Sequence, residues 1–259
     1  MSTPLRFAEE TARKAGDLLL EHFHLMGTRA NLKSDRTVVT EADLAVDKFI
    51  AEAIKAAFPE DDILSEEGTT LLEKLDRPIW IIDPLDGTTN FSLGLPIWGV
   101  SISRLVNGEP DSAALFYPLL NELYTTQRSQ GAFLNGNPIQ VKPYEKGQPA
   151  AFFTCCSRTF RRYHVKIPYK ARILGSATYD MCTVARGAAI MGFLSNPKIW
   201  DIAGGWLVVH EAGGIVETLE APNPFPLITG TDYNEMSYPL LMAADISLAR
   251  QVREGIVKK

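Results

Sequence analysis

The first sixty residues of the chain carry apolar positions at helical spacing. From about residue 4 to residue 24, apolar side chains fall on one face and charged side chains on the other, which predicts an amphipathic helix. A second helix is expected to begin near residues 40–43 and to end at Phe58, because Pro59 cannot continue it. The chain therefore begins with two helices that each have one face to bury.

The spacing of apolar residues then changes to that of strands. Residues 79–82 form a short apolar run, and residues 97–106 and 112–117 alternate on either side of Asn107 and Gly108, a dipeptide typical of a β-hairpin. Further short runs continue this meander. We expect a largely antiparallel sheet in this portion of the chain.

Strands and helices alternate in the second half. Gly175, Asp201 and Asp245 stand where helices should begin, the last of them running to about Val257. The strand candidates are residues 151–155, 171–174, 190–194, 215–219 and 240–243. The whole pattern predicts an α/β (α+β) layered sandwich, with paired N-terminal helices, a mostly antiparallel N-terminal sheet and a smaller C-terminal sheet.

Polar stretches indicate the loops and one boundary. Residues 27–38 are polar and loop-like, and residues 143–149 are punctuated by Pro and Gly. We expect an N-terminal α+β subdomain of residues 1–147, which contains most of the acidic candidate ligands described below. A C-terminal α/β subdomain of residues 148–259 is expected to complete one compact unit with it.

Composition limits the classes of partner. The net charge of −5 argues against bulk binding to nucleic acid or to anionic membranes, and no apolar run is long enough to span a bilayer. The first 23 residues lack the uninterrupted apolar region of a signal peptide. Three cysteines cannot all pair with each other, which fits a reducing compartment. We therefore expect a cytoplasmic protein without a nucleic acid or membrane partner.

Candidate chemistry is concentrated directly after the apolar run 79–82. Asp83 and Asp86 follow it, separated by Pro84, and Gly87 permits a close approach of the backbone to a ligand. Two carboxylates that project toward one point repel each other unless a cation lies between them, and Mg²⁺ prefers oxygen ligands. The Gly-Thr-Thr-Asn sequence that follows is typical of a helix N-terminus, which suits a phosphate.

Other acids have two interpretations each. Asp43 lies in the first turn of the second helix, where an acid commonly complements the helix dipole, and Asp201 is in the place of an N-cap. Glu66 and Glu67 follow a second short apolar run, at Ile63, and a charge run there is commonly a solvated surface. If the two strand ends meet, these acids and Asp83 share one metal cluster.

A basic segment distinguishes the second half. Seven basic residues occur between residues 158 and 172, which indicates either a solvated loop or a rim that attracts an anionic substrate. The helix that Gly175 begins offers further backbone N–H groups to an anion or to hydroxyl groups.

Residues 83–91 resemble a signature of the inositol monophosphatase family, within the group of Mg²⁺-dependent, lithium-sensitive phosphatases that includes fructose-1,6-bisphosphatase. Five further motifs resemble the family in its order, at residues 39–43, 65–68, 175–177, 200–204 and 240–244. The resemblance covers nearly the whole chain. It implies a layered αβαβα sandwich of the sugar phosphatase type and a homodimer.

The resemblance also implies roles for individual residues. One Mg²⁺ would be held by Glu66, Asp83 and the carbonyl of Leu85. A second would be held by Asp83, Asp86 and Asp201, and a third by Glu66. Mn²⁺ is an alternative metal. Asp43 and Thr88 would polarise the attacking water, with Glu66 and Lys33 nearby. The substrate would be bound by Gly87, Thr88, Gly175, Ser176, Ala177, Asp201 and Arg172.

The implied reaction is hydrolysis of a phosphoric monoester by metal-activated water. The default substrate is inositol-1-phosphate or a related sugar or polyol phosphate, but Leu194 stands where inositol-specific members have a glutamate. Fructose-1,6-bisphosphate, histidinol phosphate and NADP or 3′-nucleotides remain alternatives. A non-catalytic, phosphate-binding regulatory relative is the alternative of another class, against which the intact acids argue. A two-carboxylate glycosidase would not call for the Gly-Thr-Thr sequence.

Overall fold

The computed structural model describes residues 3–25, 30–32, 38–143, 151–220 and 222–259, without the side chains of residues 24, 25, 30–32 and 38–40. Its helices are α1 (Pro4–Leu25), α2 (Glu41–Ala57), α3 (Thr88–Ser92), α4 (Thr159–Arg162), α5 (Ala177–Ala185), α6 (Ile199–Glu211) and α7 (Ile246–Arg253). None of these described helices combines the length and the apolar character that a membrane crossing needs.

Eighteen short strands connect the described helices. Those of the first half are β1 (Ala30–Leu32), β2 (Val38–Thr40), β3 (Asp62–Ser65), β4 (Leu71–Leu72), β5 (Ile79–Asp86), β6 (Gly99–Val106), β7 (Glu109–Tyr117), β8 (Glu122–Gln127), β9 (Ala132–Leu134) and β10 (Asn137–Ile139). Those of the second half are β11 (Phe152–Cys155), β12 (Tyr163–Val165), β13 (Lys170–Arg172), β14 (Met191–Leu194), β15 (Ile215–Thr218), β16 (Thr231–Asp232), β17 (Leu240–Ala243) and β18 (Ile256–Lys258).

The larger sheet has seven strands in the order β10-β9-β8-β7-β6-β5-β3. Every pair is antiparallel except β3 with β5, which are parallel, so the expected antiparallel sheet is confirmed. The alternation of β5 decides its packing: Trp80 and Ile82 pack with α1 and α2, and Ile79 and Ile81 pack with α5 and α6. Helices therefore cover both faces of this sheet.

The smaller sheet has five strands in the order β13-β11-β14-β17-β15, with parallel and antiparallel pairs. Leu194 and Leu240 pack with α5 and α6, whereas Phe193 and Leu241 pack with Leu248 of α7. The layers are thus two helices, a sheet, two helices, a sheet and one helix. This is the expected αβαβα sandwich.

Some local expectations from the sequence are wrong. Residues 27–38 contain β1, which pairs with β2, although a loop was expected there. The basic segment is not one loop, because it contains α4, β12 and β13. The last helix ends at Arg253 and not at Val257, since the chain turns into β18, which pairs with β12. These short strands form because they pair with strands distant in sequence, and the local spacing of apolar residues does not predict such pairing. The expected boundary at residue 147 lies outside the described residues and stays a prediction.

A buried ion pair ties β6 to the turn after α2. Asp61 accepts hydrogen bonds from Arg104 Nε at 2.7 Å and from Trp80 Nε1 at 2.9 Å. The side chains of Arg104 and Asp61 are only 15% and 8% exposed. The nearby pair of Arg77 and Glu60 is far more exposed, at 51% and 81%.

We predict that Arg104→Met destabilises the fold by about 3 kcal/mol or more, because it leaves the buried Asp61 carboxylate without its cation. The matched change Arg77→Met should cost less than about 1 kcal/mol, as exposed pairs contribute little. Urea unfolding followed by circular dichroism measures both. Equal losses in the two variants would show that the buried pair has no special role.

Candidate active site

The site begins at an irregularity in β5. This strand pairs with β6 in regular register up to Asp83 and pairs again at Asp86, with a register shift between the two residues. Pro84, which has no N–H to donate, lies inside the shift. Asp83 and Asp86 are both buried, and Asp83 Oδ1 accepts a hydrogen bond from the Leu85 N–H at 3.1 Å. The bulge thus places two carboxylates within four residues at the end of a buried strand.

Gly87 turns the chain from β5 into α3. It has a left-handed conformation, φ 92°, and a Cβ at this position would lie 2.8 Å from the carbonyl oxygen of Ile97. Glycine is therefore required both by the left-handed backbone and by the lack of space for a Cβ. Thr88 follows as the first residue of the five-residue helix α3, as the sequence predicted, and the first N–H groups of a helix have no intrahelical acceptor.

Thr88 connects this turn to the second helix. Its hydroxyl lies 3.0 Å from the carbonyl oxygen of Leu85 and 3.3 Å from Oδ1 of Asp43, so it donates to one or shares its proton between both. Asp43 is buried in the first turn of α2. The structure therefore brings together the two residues that the family resemblance paired, although they are 45 positions apart. An interaction of Asp43 with the dipole of α2 does not by itself explain its contact with Thr88.

Four separate parts of the chain bring carboxylates into one electrostatic cluster. The pKa of Asp83 is raised well above its ordinary value, first by burial and then by the negative charges of Glu66, Asp86, Asp201 and Asp43. The pKa of Asp201 is raised for the same reasons, burial first and then Glu66 and Asp86. Repulsion of this kind requires proximity. The two strand ends, of β3 and β5, do meet as the sequence suggested.

Asp86 is held by the N-terminal end of α5. Its carboxylate accepts hydrogen bonds from the Ser176 hydroxyl at 2.5 Å, the Thr178 N–H at 2.8 Å and the Ala177 N–H at 3.0 Å, and from the Thr178 hydroxyl. Burial raises the pKa of Asp86, while these hydrogen bonds oppose that rise. Ser176 and Ala177, which were expected to bind substrate, thus contact a site carboxylate. A contact between them and a substrate stays a prediction.

Asp201 is not the N-cap residue of α6, as one interpretation of the sequence had it, but its carboxylate caps the helix from the third position. Lys198 occupies the N-cap position, and Asp201 lies three residues later, where its Oδ2 accepts a hydrogen bond from the Lys198 N–H at 2.7 Å. The side chain lines a cavity of about 180 Å³ together with Ala177 and Leu194. Asp201 therefore stands between the acid cluster and an open space.

The donor set fits a hard cation by its chemistry. The clustered ligand candidates are carboxylates and the Leu85 carbonyl, without a cysteine or histidine among them, and Mg²⁺ takes such oxygen ligands. Among the described residues, no three acidic, histidine or cysteine side chains are arranged to hold an ion as they stand. Asp86 is turned toward α5, and Oδ2 of Asp201 is turned toward Lys198. A cation would therefore compete with these hydrogen bonds for the carboxylate oxygens.

The two remaining predicted residues are Lys33 and Arg172. Lys33 lies outside the described residues. Arg172 is exposed on β13, its guanidinium lies 5.9 Å from the centre of the Phe152 ring, and one of its N–H groups bonds the carbonyl of Ala171. The structure thus gives Arg172 local contacts with its own sheet.

Two residues that support the site were not selected from the sequence. Thr178 donates twice to Asp86. Asn90 donates to the carbonyls of Ile97 at 2.7 Å and Leu174 at 2.8 Å, which joins α3 to the start of α5. A Cβ on Gly175, whose φ is 82°, would lie 2.6 Å from Asn90 Oδ1. In the sequence, only the position of Asn90 inside the motif of residues 83–91 indicates that it belongs to the site.

Comparisons with known proteins agree with this geometry. A Nus factor SuhB of Xylella fastidiosa is 36% identical over 223 residues, with 80% of this chain and 78% of the relative covered. A fructose-1,6-bisphosphatase/inositol-1-monophosphatase of Thermotoga maritima is 35% identical over 219 residues, with 82% and 83% covered. The solved structure of an IMPase from Thermotoga maritima matches with a TM-score of 0.79 at 29% identity, over 95% of this chain and 93% of that one.

The match extends over almost the full length of the sequence. The model of the inositol monophosphatase family matches residues 1–254, a range that includes every residue of the acid cluster. The resemblance seen in the motifs is thereby confirmed, and the chain belongs to the inositol monophosphatase family.

Proposed function

We propose that the protein is a Mg²⁺-dependent phosphomonoesterase that hydrolyses a small phosphorylated metabolite. Membership of the family supports a phosphatase of this superfamily, whose members are generally metal-dependent. The observation that carries the proposal is that acids from separate elements meet beside a helix start. The end of β3 before Glu66 pairs with the end of β5 before Asp83, and Thr88 contacts Asp43, in agreement with the raised pKa of Asp83. Such an excess of buried negative charge suits the binding of cations and of the phosphate they attract.

The metal ligands in this proposal are those of the resemblance. Glu66, Asp83 and the Leu85 carbonyl would hold one ion, and Asp83, Asp86 and Asp201 a second, with a third near Glu66. When bound, the ions supply a water of lowered pKa and neutralise charge on the phosphate. Hydrogen bonds hold Asp83 and Asp86 in the cluster, and a cation would share the Asp86 oxygens with the donors of α5.

The remaining groups orient water and phosphate. The Thr88 hydroxyl, next to Asp43, is placed to accept a proton from water while passing its own to the Asp43 carboxylate. The backbone N–H groups of Gly87 and Thr88 would bind phosphate oxygens at the start of α3. Both steps use the turn that Gly87 makes, and the proton transfer also needs Asp43 of α2.

The alcohol part of the substrate is expected on the side of Asp201. Inositol-1-phosphate or a related sugar or polyol phosphate is the first candidate, and fructose-1,6-bisphosphate, histidinol phosphate and NADP or 3′-nucleotides follow. The name of the Thermotoga maritima relative joins two of these activities. Lithium inhibition, a homodimer and a cytoplasmic location stay part of the proposal.

A non-catalytic binding or regulatory role is the second candidate. It is favoured by the relative from Xylella fastidiosa, which bears the name Nus factor SuhB. The complete set of acids in the cluster favours catalysis, because a purely regulatory chain has no need to keep buried carboxylates that repel each other.

The central test compares two adjacent glutamates. Glu66→Gln should lower kcat/KM for phosphate esters in Mg²⁺ by about 100-fold or more, because it removes a charge that holds the metal. Glu67→Gln, a change of the same kind one residue away and similarly half-buried, should alter kcat/KM less than about threefold. Phosphate release from a panel of esters, with and without Li⁺, measures both.

Two outcomes would contradict different parts of the proposal. If the wild-type chain releases phosphate from no ester in Mg²⁺ or Mn²⁺, the enzymatic function fails. If the two glutamine variants lose activity equally, the assignment of Glu66 as a metal ligand fails while the reaction stands.

A second prediction concerns the repulsion at Asp83. Because burial and neighbouring acids raise the pKa of Asp83 in the folded chain, ionising this carboxyl costs stability as the pH rises above the ordinary range of an aspartate. In EDTA at pH 8, Asp83→Asn should therefore raise Tm by several degrees, since about 1 kcal/mol corresponds to roughly 2–4 °C in a chain of this size. Near pH 4 the gain should shrink, because the wild-type carboxyl is protonated as well.

At pH 8, added Mg²⁺ should raise the Tm of the wild type but not that of Asp83→Asn, so that the wild type becomes the more stable of the two. The control is Asp245→Asn at the start of α7, where Asn caps as well as Asp, so Tm should hardly move. Thermal melts of the wild type and both variants, in EDTA and in Mg²⁺, test this prediction. A lower Tm for Asp83→Asn in EDTA at pH 8 would mean that its hydrogen bond to Leu85 outweighs the repulsion.

A further inference from the structure

A small cavity adjoins the acid cluster on the side of the C-terminal sheet. It has a volume of about 180 Å³, and Asp201 and Ala177 form the wall that faces the cluster. The rest of the lining comes from the ends of β14 and β11 and from the segments that follow them, and it includes Leu194, Asn196, Cys156 and Arg158. A substrate whose phosphate lies at the cluster would extend its remaining part into this space.

The charge of the lining is unusual for a site that binds a polyol. Of the lining residues that the structure describes, Asp201 and Arg158 alone carry a charge. Leu194 is 1% exposed and offers no oxygen to a hydroxyl group. Where inositol-specific relatives have an acceptor of hydroxyl protons, this cavity has an aliphatic wall and a cation.

The main chain that carries Arg158 is fixed. Cys156 Sγ lies 2.9 Å from Ser195 Oγ, which joins the turn after β11 to the end of β14, and 3.3 Å from Thr159 Oγ1, which joins that turn to α4. The carbonyl of Arg158 accepts a hydrogen bond from the Arg161 N–H at 3.1 Å in the first turn of α4. The guanidinium thus extends from a rigid base, which lowers the entropy cost of binding a ligand.

The guanidinium of Arg158 is also available. Within the part of the chain that the structure describes, no carboxylate forms an ion pair with it, whereas Arg104 and Arg186 are both paired. A second guanidinium lies close by, since Arg162 donates to Oδ1 of the lining residue Asn196 at 2.6 Å. Arg158 in the lining and Arg162 beside it therefore bring positive charge to the cavity that Asp201 borders.

We propose that Arg158 determines specificity by binding a second phosphate of the substrate, so that the preferred esters are bisphosphates and not neutral polyol monophosphates. The inference rests on the proposed function of the adjacent site. A guanidinium presents paired donors that match two phosphate oxygens, and it remains charged at every physiological pH.

The test uses substrates that differ only in the second phosphate: fructose-1,6-bisphosphate against fructose-1-phosphate, and adenosine 3′,5′-bisphosphate against adenosine 3′-phosphate. The wild type should prefer the bisphosphate of at least one pair. Arg158→Gln should raise KM for that bisphosphate by about tenfold or more and leave kcat and the monophosphate KM within about twofold, as expected for the loss of a hydrogen-bonded charge. Arg161→Gln, a change at an exposed residue of α4 outside the cavity lining, should leave the KM of both substrates unchanged.

An equal rise in KM for both members of a pair, or no rise for either, would overturn the inference. If the wild type hydrolyses no ester, the proposed function fails, and calorimetric titration with adenosine 3′,5′-bisphosphate in Mg²⁺ then decides the role of Arg158 alone. Binding that is tenfold weaker in Arg158→Gln than in the wild type upholds the inference, and equal binding refutes it.

Discussion

The repulsion among buried carboxylates at the bulge of β5 is the constraint on which the site depends. Asp83 and Asp86 follow an apolar strand into the interior, and Glu66, Asp201 and Asp43 add negative charge around them. No hydrophobic core gains from such an arrangement, since burying like charges raises their pKa values and costs stability. The surrounding helices hold it in place nevertheless, and the cluster therefore indicates function more strongly than any single motif.

The two middle helices of the sandwich make the cluster possible. Both α5 and α6 lie between the sheets, and their first turns point toward the end of β5. The N-terminal turn of α5 satisfies Asp86 with backbone and hydroxyl donors, and α6 brings Asp201 to the same place. Helix N-termini favour negative charge, so the layer order that buries the apolar faces also supplies the groups that offset part of the repulsion.

Much of this arrangement could be inferred from sequence, because the signals are local. The period of apolar residues predicted α1 and α2, and the run before Asp83 predicted β5 and its acids. The position of Asp201 could not be inferred correctly, because an acid near a helix start fits both the N-cap and the third residue. The pairing of β12 with β18 and the two hydrogen bonds of Asn90 join distant segments, and no local pattern records them. The sequence is thus informative about chemistry and less so about the contacts that hold it.

In the proposed function, the reaction and the choice of substrate depend on different parts of the fold. Asp43, Glu66, Asp83 and Asp86 lie in the N-terminal half, in α2, after β3 and in β5, a strand that both helix layers cover. The cavity wall formed by Leu194 and Arg158 belongs to the smaller sheet and the turn beside it. Under this proposal, a substitution on that wall would alter the charge that meets the alcohol part without moving the carboxylates of the N-terminal half. One catalytic arrangement would then serve esters of different charge, and Asp201, which borders both regions, would be the residue where the two requirements meet.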